Sequence, residues 1–289
     1  MSNTNDSKSN IIDGRALAKK IDERTAKKAE KLKSEGVFPK LVTVLVGDDP
    51  ASKMYVNMKH KACERIGIFS EDKILPESTT EDELIQLIRE LNSDKEVSGI
   101  LVQLPVPKHI SSQKIMNEIA PEKDPDGFHP VNMGKLMIGD EGLVPCTPKG
   151  VIYMLDEYGI NPEGKKAVVV GHSNIVGKPM TAMLLNRNAT VETCHIFTKD
   201  LKAETITADI LIVGVGVKHL ITKDMVKEDA VVIDIGINKD ETGTHGDVDF
   251  ENVSKIAKLI TPVPGGVGPM TIAVLMEHVV LCAEMQMQK

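Results

Sequence analysis

Short runs of apolar residues recur along the chain, and longer stretches with apolar and charged positions at helical spacing separate them. An apolar run of four to six residues is typical of a strand that is buried on both faces of a parallel sheet. Such runs, together with one short strand end near the C-terminus, predict strands over residues 41–46, 99–104, 167–170, 190–193, 209–213, 231–235 and 258–261.

Helix start and stop signals bracket the segments between these runs. They predict helices from Asp13 to about Gly36, from Pro50 to Gly67, from a Thr80/Glu83 capping box to Leu91, over 111–119, from Thr147 with Pro148 at the first position to just before Gly159, over 177–187, and over 272–283.

Strands that alternate with helices predict parallel βαβ units, and hence an α/β fold. The alternation restarts after a turn cluster at 159–164, and 289 residues suggest about two domains. We therefore expect two α/β domains, with the last helix returning to the first. The domains are assigned as residues 1–149 with 270–289, and residues 150–269.

Composition narrows the classes of function. The net charge is −7 and the basic residues are interspersed, which argues against nucleic acid as a partner. No two of the four cysteines lie close together, and the histidines show no metal-binding spacing, so we predict reduced thiols and no metal site. The first ten residues lack an apolar core, and the run at 272–283 is too short to span a bilayer. These features predict a cytoplasmic protein without a membrane partner.

The segment 264–271 reads Pro-Gly-Gly-Val-Gly-Pro-Met-Thr. Three glycines and two prolines predict a stiff loop with neither helix nor strand, whose bare backbone would suit a flat ligand. The alternative is a tight connector. A second glycine-containing turn, 171–179, follows a predicted strand and opens a predicted helix, where a Rossmann-type fold binds phosphate. Its Ser173 replaces the second glycine of the usual fingerprint, so a plain strand–helix turn is an alternative.

Tyr55 and Lys59 are four residues apart and should share one helix face. A solvated lysine beside a packed ring is the ordinary explanation of such a pair. Two further polar residues favour a site instead: Gln103 interrupts an apolar strand, and Asp126 lies in a loop between elements. Lysine is a useful acid or base when burial lowers its pKa. Asp124 is interpreted as an ordinary turn residue.

These segments together resemble the bifunctional methylenetetrahydrofolate dehydrogenase/methenyltetrahydrofolate cyclohydrolase family. The matching motifs are Ser-Lys-Met-Tyr-Val-Asn-Met-Lys at 52–59, Gly-Ile-Leu-Val-Gln-Leu-Pro at 99–105, Pro-Glu-Lys-Asp-Pro-Asp-Gly at 121–127, Pro-Cys-Thr-Pro at 145–148, and the two turns at 171–179 and 264–271. The resemblance implies a folate-binding catalytic domain, a Rossmann-like domain, a homodimer, and NADP-dependent oxidation of methylenetetrahydrofolate followed by hydrolysis to 10-formyltetrahydrofolate.

By position, the resemblance makes Lys59 the catalytic lysine, Gln103 its tuning partner, Tyr55 the ring stacked on the folate, and Asp126 the anchor of the pterin amine. It places the substrate against those four side chains and against Val102, Leu104, Pro264, Gly265 and Gly266. It places the cofactor against Gly171, His172, Ser173, Ile175, Val176, His195, Ile196, Ile237 and Thr271.

The chain departs from the family at two cofactor positions. His172 stands where the family usually has arginine, and Ile196 stands where a small hydroxyl residue is common. Arginine holds a phosphate through a rigid, permanently charged fork, whereas an ordinary histidine is mostly neutral at pH 7. One expectation is weakened selectivity for NADP, so that NAD is also used. In the extreme case the cofactor pocket is degenerate, and the protein catalyses the hydrolysis alone. Adequate phosphate binding by His172 or Lys199 is the other. A binding module without turnover is the remaining alternative.

Overall fold

The computed structural model describes residues 10–287. In the first half, the elements are α1 (Gly14–Ser34), β1 (Lys40–Val46), α2 (Pro50–Ile66), β2 (Phe69–Leu75), α3 (Glu81–Ser93), β3 (Gly99–Val102), α4 (Ser112–Glu118), α5 (Pro130–Met137) and α6 (Cys146–Glu157). In the second half they are β4 (Lys166–Val170), α7 (Gly177–Leu185), β5 (Thr190–Cys194), α8 (Leu201–Thr205), β6 (Ile210–Val213), β7 (Val231–Asp234), β8 (Asn238–Asp240), β9 (Gly243–His245), α9 (Phe250–Val253), β10 (Leu259–Ile260) and α10 (Val267–Met287).

The chain forms two compact units. One comprises Ala16–Gly150 with Met270–Lys289 and is called the α2 unit here. The other comprises Val151–Pro269 with the segment up to Arg15 and is called the β4 unit. The described residues 10–15 therefore group with the β4 unit, whereas the sequence-based domains placed them in the first domain. The reason is pairing: Ile12 N donates to the carbonyl oxygen of Ile260, in the edge strand β10, over 2.9 Å.

The α2 unit contains a three-stranded parallel sheet in the order β2-β1-β3. Its β1 is buried at six of seven positions, as the apolar run predicts. Strand β2 lies at the edge, and the sequence analysis missed it because Phe-Ser-Glu-Asp-Lys-Ile-Leu contains no apolar run. The predicted capping box before α3 is confirmed, with Thr80 and Glu83 each bonded to the other's backbone N–H.

The last helix returns to the α2 unit, which confirms that part of the predicted fold. Arg24 of α1 pairs with Glu277 of α10 at 2.7 Å, and Gln286 donates to the carbonyl of Val97. By length and composition α10 could cross a membrane, but 67% of its most apolar window is buried inside the protein, as in the core helix of a soluble protein.

Two predicted helix starts are wrong. Helix α10 begins at Val267, inside the segment predicted to be irregular, because Pro269 falls in the first turn, where no N–H is needed. Helix α6 begins at Cys146, and Thr147 does not cap it. Lys149 N already bonds to the carbonyl of Pro145, while the Thr147 hydroxyl pairs with another side chain.

The β4 unit is built on a five-stranded parallel sheet in the order β10-β7-β6-β4-β5. The strand order reverses direction between β4 and β6. In an open parallel sheet, ligands bind beyond the carboxyl ends of the strands at such a reversal. Buried aliphatic side chains of the strands, among them Val170, Leu211 and Val232, belong to a hydrophobic core cluster of this unit.

Candidate active site

The lysine and glutamine singled out from the sequence meet in the α2 unit. Lys59, on α2, donates from Nζ to Oε1 of Gln103, at the end of β3, over 3.0 Å. Gln103 Nε2 donates to the carbonyl of Leu104 over 2.7 Å, which fixes the amide with its oxygen toward the ammonium. Both side chains are half-buried, and Tyr55 is 37% exposed one turn before Lys59. The site thus offers one cation, one oriented amide and one accessible ring.

Helix α2 holds this geometry because its start is fixed. Asp49 is its N-cap and accepts from Ser52 N over 2.7 Å, while Pro50 occupies the first turn. Gly67 ends the helix in the left-handed region, with φ of 82°. On β3, the backbone N–H of Gln103 extends the ladder to Val44 O over 2.8 Å. The strand itself ends at Val102, two residues earlier than predicted.

The two aspartates of the 121–127 loop have different tasks. Asp124 is 1% exposed and accepts from the backbone N–H groups of Gly127 and His129 and from Nδ2 of Asn132. Burial raises its pKa to about 6. It is therefore a structural carboxylate that closes the loop. Burial raises the pKa of Asp126, and the charge of Lys59 opposes part of that rise. The carboxyl group of Asp126 therefore interacts electrostatically with Lys59.

The remaining predicted substrate contacts divide between the units. Val102 is buried and Leu104 is half-buried in the α2 unit, next to Gln103. Pro264, Gly265 and Gly266 belong to the β4 unit, where Gly266 N donates to Pro262 O over 2.8 Å. Gly266 is buried, and a Cβ there would lie 2.6 Å from that same oxygen.

In the β4 unit, the turn after β4 has the close packing that a dinucleotide site requires. Gly171 has φ of 122°, and a Cβ on Gly177 would lie 2.0 Å from Gly171 O. Ser173 Oγ accepts from Val176 N over 3.2 Å, so the hydroxyl shapes the turn before α7. Short backbone separations and a helix N-terminus suit the phosphates of a nicotinamide dinucleotide, whose chemistry when bound is to accept hydride.

The side chains around this turn are accessible. His172 stacks on His195, with ring centroids 4.7 Å apart and planes tilted by 34°. Ile196 is 86% exposed, and Ile175 and Ile237 are each about half exposed. Thr271 differs from the other predicted cofactor contacts because it lies in the α2 unit, on α10, with its Oγ1 2.9 Å from that of Thr147.

Two features of the molecule bear on other site chemistries. Among residues 10–287, no group of three or more His, Cys, Asp or Glu side chains could hold a metal ion. The four cysteines are free and buried. Burial raises the pKa of Cys63 to about 12 and raises the pKa of Cys146 and Cys282 well above the usual range, so these thiols are poor nucleophiles.

Two family models cover most of the chain. Residues 12–126 match the tetrahydrofolate dehydrogenase/cyclohydrolase catalytic domain, and residues 145–287 match its NAD(P)-binding domain. The chain belongs to the tetrahydrofolate dehydrogenase/cyclohydrolase family. The resemblance and the two-domain α/β fold expected from the sequence are thereby confirmed.

Relatives in this family align over nearly the whole chain. The bifunctional protein FolD of Methanosarcina mazei is 64% identical, over 96% of each chain. The crystal structure of the bifunctional methylenetetrahydrofolate dehydrogenase/cyclohydrolase FolD from Campylobacter jejuni has 53% identity and a TM-score of 0.94, covering 95% of this chain and 98% of that one. FolD of Trypanosoma brucei, complexed with NADP and inhibitor, has 34% identity and a TM-score of 0.91, covering 96% and 98%.

Sequence reasoning missed residues that support the family site. His278 of α10 and Cys146 of α6 both contact the carbonyl oxygen of Pro125, between the two loop aspartates. Asp247 contacts two turns of the β4 unit. Neither type of role leaves a local sequence signal, because each depends on contacts with residues distant in the chain.

Proposed function

We propose that this protein oxidises 5,10-methylenetetrahydrofolate to 5,10-methenyltetrahydrofolate with NADP and hydrolyses the product to 10-formyltetrahydrofolate. Family membership over nearly the whole chain supports both reactions. The observation that carries the hydrolytic role is the 3.0 Å hydrogen bond from Lys59 Nζ to Gln103 Oε1, since it presents a positioned proton donor beside an oriented amide.

The hydrolysis needs proton transfer rather than activation by a metal, because the methenyl carbon is already an electrophilic iminium. Water adds to that carbon, forming a C–O bond and losing a proton. The resulting hydroxyl then loses its second proton as the C=O bond forms and the C–N bond to one ring nitrogen breaks. That nitrogen takes up one proton, so that one proton is released overall. Lys59 is proposed to exchange these protons, with Gln103 holding its amine in place.

Substrate orientation is assigned to the other predicted residues. Tyr55 is proposed to stack on the aminobenzoyl group, since its ring is accessible on the lysine's helix face. Asp126 is proposed to anchor the pterin amine through a charge-assisted hydrogen bond. Val102, Leu104 and the backbone of 264–266 complete the proposed folate contacts.

The nicotinamide site is assigned to the turn after β4 and to the residues that follow β5 and β7. His172 and His195 are proposed to contact the 2′-phosphate, which distinguishes NADP from NAD. Because imidazole replaces the usual guanidinium, we expect weaker discrimination against NAD than arginine would give. The NADP complex of the Trypanosoma brucei relative supports NADP as the cofactor.

A homodimer in the cytoplasm is part of the same proposal. Four buried, unpaired thiols suit a reducing compartment. Light scattering coupled to gel filtration, which should give twice the chain mass of 31.5 kDa, tests the assembly.

The decisive assay follows the absorbance of the methenyl chromophore. Methylenetetrahydrofolate is supplied with NADP, with NAD or with neither, and the decay of added methenyltetrahydrofolate is followed separately. We expect both activities. Hydrolysis alone would support an enzyme with a degenerate cofactor site, and turnover of neither folate would support a binding module.

Lys59→Ala tests the proton-transfer role. We expect hydrolysis to fall by about 10²–10⁴-fold with the thermal unfolding temperature retained. Lys61→Ala is the matched control, since Lys61 is exposed on the same helix two residues away. Near-normal hydrolysis in Lys59→Ala would remove Lys59 from this role.

A further inference from the structure

A buried carboxylate links the ends of two central strands in the β4 unit. Asp247 is fully buried, and its Oδ2 accepts from Val215 N over 2.7 Å and from Gly216 N over 2.9 Å. Its Oδ1 accepts from Asn238 Nδ2 over 2.9 Å. Val215 and Gly216 follow β6, and Asn238 begins β8 beyond the end of β7, so one side chain links the segments that follow two neighbouring strands.

The surrounding backbone leaves room for this carboxylate and little else. A Cβ on Gly236 would lie 2.1 Å from Cγ of Asp247. The neighbouring carboxylate of Asp234 accepts from the backbone N–H groups of Gly236, Asp247 and Val248. Asp234 therefore holds the backbone at Gly236, which packs against the Asp247 carboxylate, and the backbone of Asp247 itself. The two aspartates are thus joined in one hydrogen-bonded network.

The turn that Asp247 holds lies where a ligand is expected. The strand order reverses between β4 and β6, so the turns after these two strands flank the crevice at the carboxyl edge of the sheet. They also approach each other closely, because a Cβ on Gly171 would lie 2.7 Å from Gly214 O. A shift of the turn at 214–216 would therefore change the shape of the crevice.

The carboxylate also decides what kind of contact this turn can make. Two successive backbone N–H groups commonly bind the phosphate of a ligand, but Asp247 already occupies those of Val215 and Gly216. The turn after β6 is thus left with apolar surface, since the side chains of Val215 and Val217 are 37% and 50% exposed. Phosphate binding falls to the turn after β4.

We infer that Asp247 is a positioning residue for the dinucleotide: it holds the turn after β6 as an apolar wall and directs the phosphates to the turn after β4. This inference rests on the proposed function, because it takes a nicotinamide dinucleotide as the ligand. Asp247 itself contacts protein groups only and acts through Val215 and Gly216.

The variant Asp247→Asn tests this role with little change in volume. An amide accepts hydrogen bonds only through its oxygen. The variant therefore loses either the bonds from Val215 N and Gly216 N or the bond from Asn238 Nδ2. Loss of charge-assisted hydrogen bonds of this kind corresponds to a change of about tenfold or more in affinity. We expect the Kd for NADP, measured by titration calorimetry, and the KM for NADP to rise about tenfold, with the KM for methylenetetrahydrofolate unchanged.

Hydrolysis of methenyltetrahydrofolate does not consume the nicotinamide cofactor, so the rate of hydrolysis reports whether the variant is folded. Asp249→Asn is the matched control, because Asp249 lies two residues away and caps α9. Val215→Ala is a second variant that alters the proposed wall but keeps the carboxylate. We expect it to weaken NADP binding while hydrolysis persists.

The outcomes separate the inference from the function on which it rests. Wild-type protein that turns over folate without binding NADP would overturn the proposed cofactor, whatever the variants do. Tight NADP binding by wild type and equally tight binding by Asp247→Asn would overturn the positioning role. A parallel loss of hydrolysis and NADP binding in Asp247→Asn would also overturn it, because it would show a structural role only.

Discussion

The imidazole of His278 is buried, and its Nδ1 lies 2.9 Å from the carbonyl oxygen of Pro125. Burial lowers the pKa of His278 to about 4, so the ring is neutral near pH 7 and donates through Nδ1. Cys146 Sγ donates to the same carbonyl over 3.2 Å. Helices α6 and α10 thereby hold the peptide between Asp124 and Asp126, the proposed pterin anchor.

This contact predicts that His278→Phe raises the KM for folate substrates. The ring shape is largely kept, but one of the two donors to the Pro125 carbonyl is lost, which should cost about 0.5–1.5 kcal/mol. We expect a rise of up to about tenfold in steady-state KM for both reactions, with the Kd for NADP unchanged. His278→Gln, which can still donate, should recover part of the effect. An unchanged folate KM in the phenylalanine variant would contradict the prediction.

The stacked histidine pair leads to a prediction about cofactor choice. Replacing His172 with arginine adds a permanently charged fork at the proposed phosphate contact. We expect His172→Arg to lower the KM for NADP by about tenfold, as one added charge-assisted hydrogen bond would, and to leave that for NAD unchanged.

The measurement is kcat/KM for each nicotinamide in both proteins. Lys178→Arg serves as the control, since Lys178 is an exposed cation near the same turn and bonds to Asn174 over 2.7 Å. A wild-type preference for NADP above about a thousandfold would refute weakened selectivity, because that exceeds what one such bond supplies.

The buried carboxylate of Asp234 predicts a specific dependence of stability on pH. Burial raises its pKa from 3.8 to about 6, so the folded state holds the proton more tightly than the unfolded chain does. The contribution of Asp234 to the free energy of unfolding is therefore fully present below about pH 4. It is lost as the pH rises through about 6, with a slope of at most about 1.4 kcal/mol per pH unit.

Denaturant unfolding of wild type and Asp234→Asn at several pH values between 4 and 7 measures this effect. We expect wild type to lose stability relative to the variant as the pH rises across that window. Asp124→Asn should behave alike, because burial also raises the pKa of Asp124 to about 6. A stability difference that stays constant with pH would show that folding does not raise the pKa of the aspartate.

The sequence determined the elements whose signals are local. The apolar run of β1, the proline and glycine that bound α2, and the Thr80 capping box were all correctly predicted, because burial on both faces and helix capping depend on neighbours in sequence. The family motifs also identified Lys59 and Gln103 as a pair, and the structure joins them by one hydrogen bond.

Features that depend on partners distant in the chain come from tertiary packing alone. Strand β2 has no apolar run because it lies at a sheet edge, and it forms by pairing with β1. Helix α10 begins within a glycine- and proline-containing segment, and its apolar side chains, such as Met270 and Val274, are buried. The anchoring role of Asp247 arises from partners 9 to 32 residues away. Local sequence propensity cannot predict such contacts, because they form only when elements distant in the chain pack together.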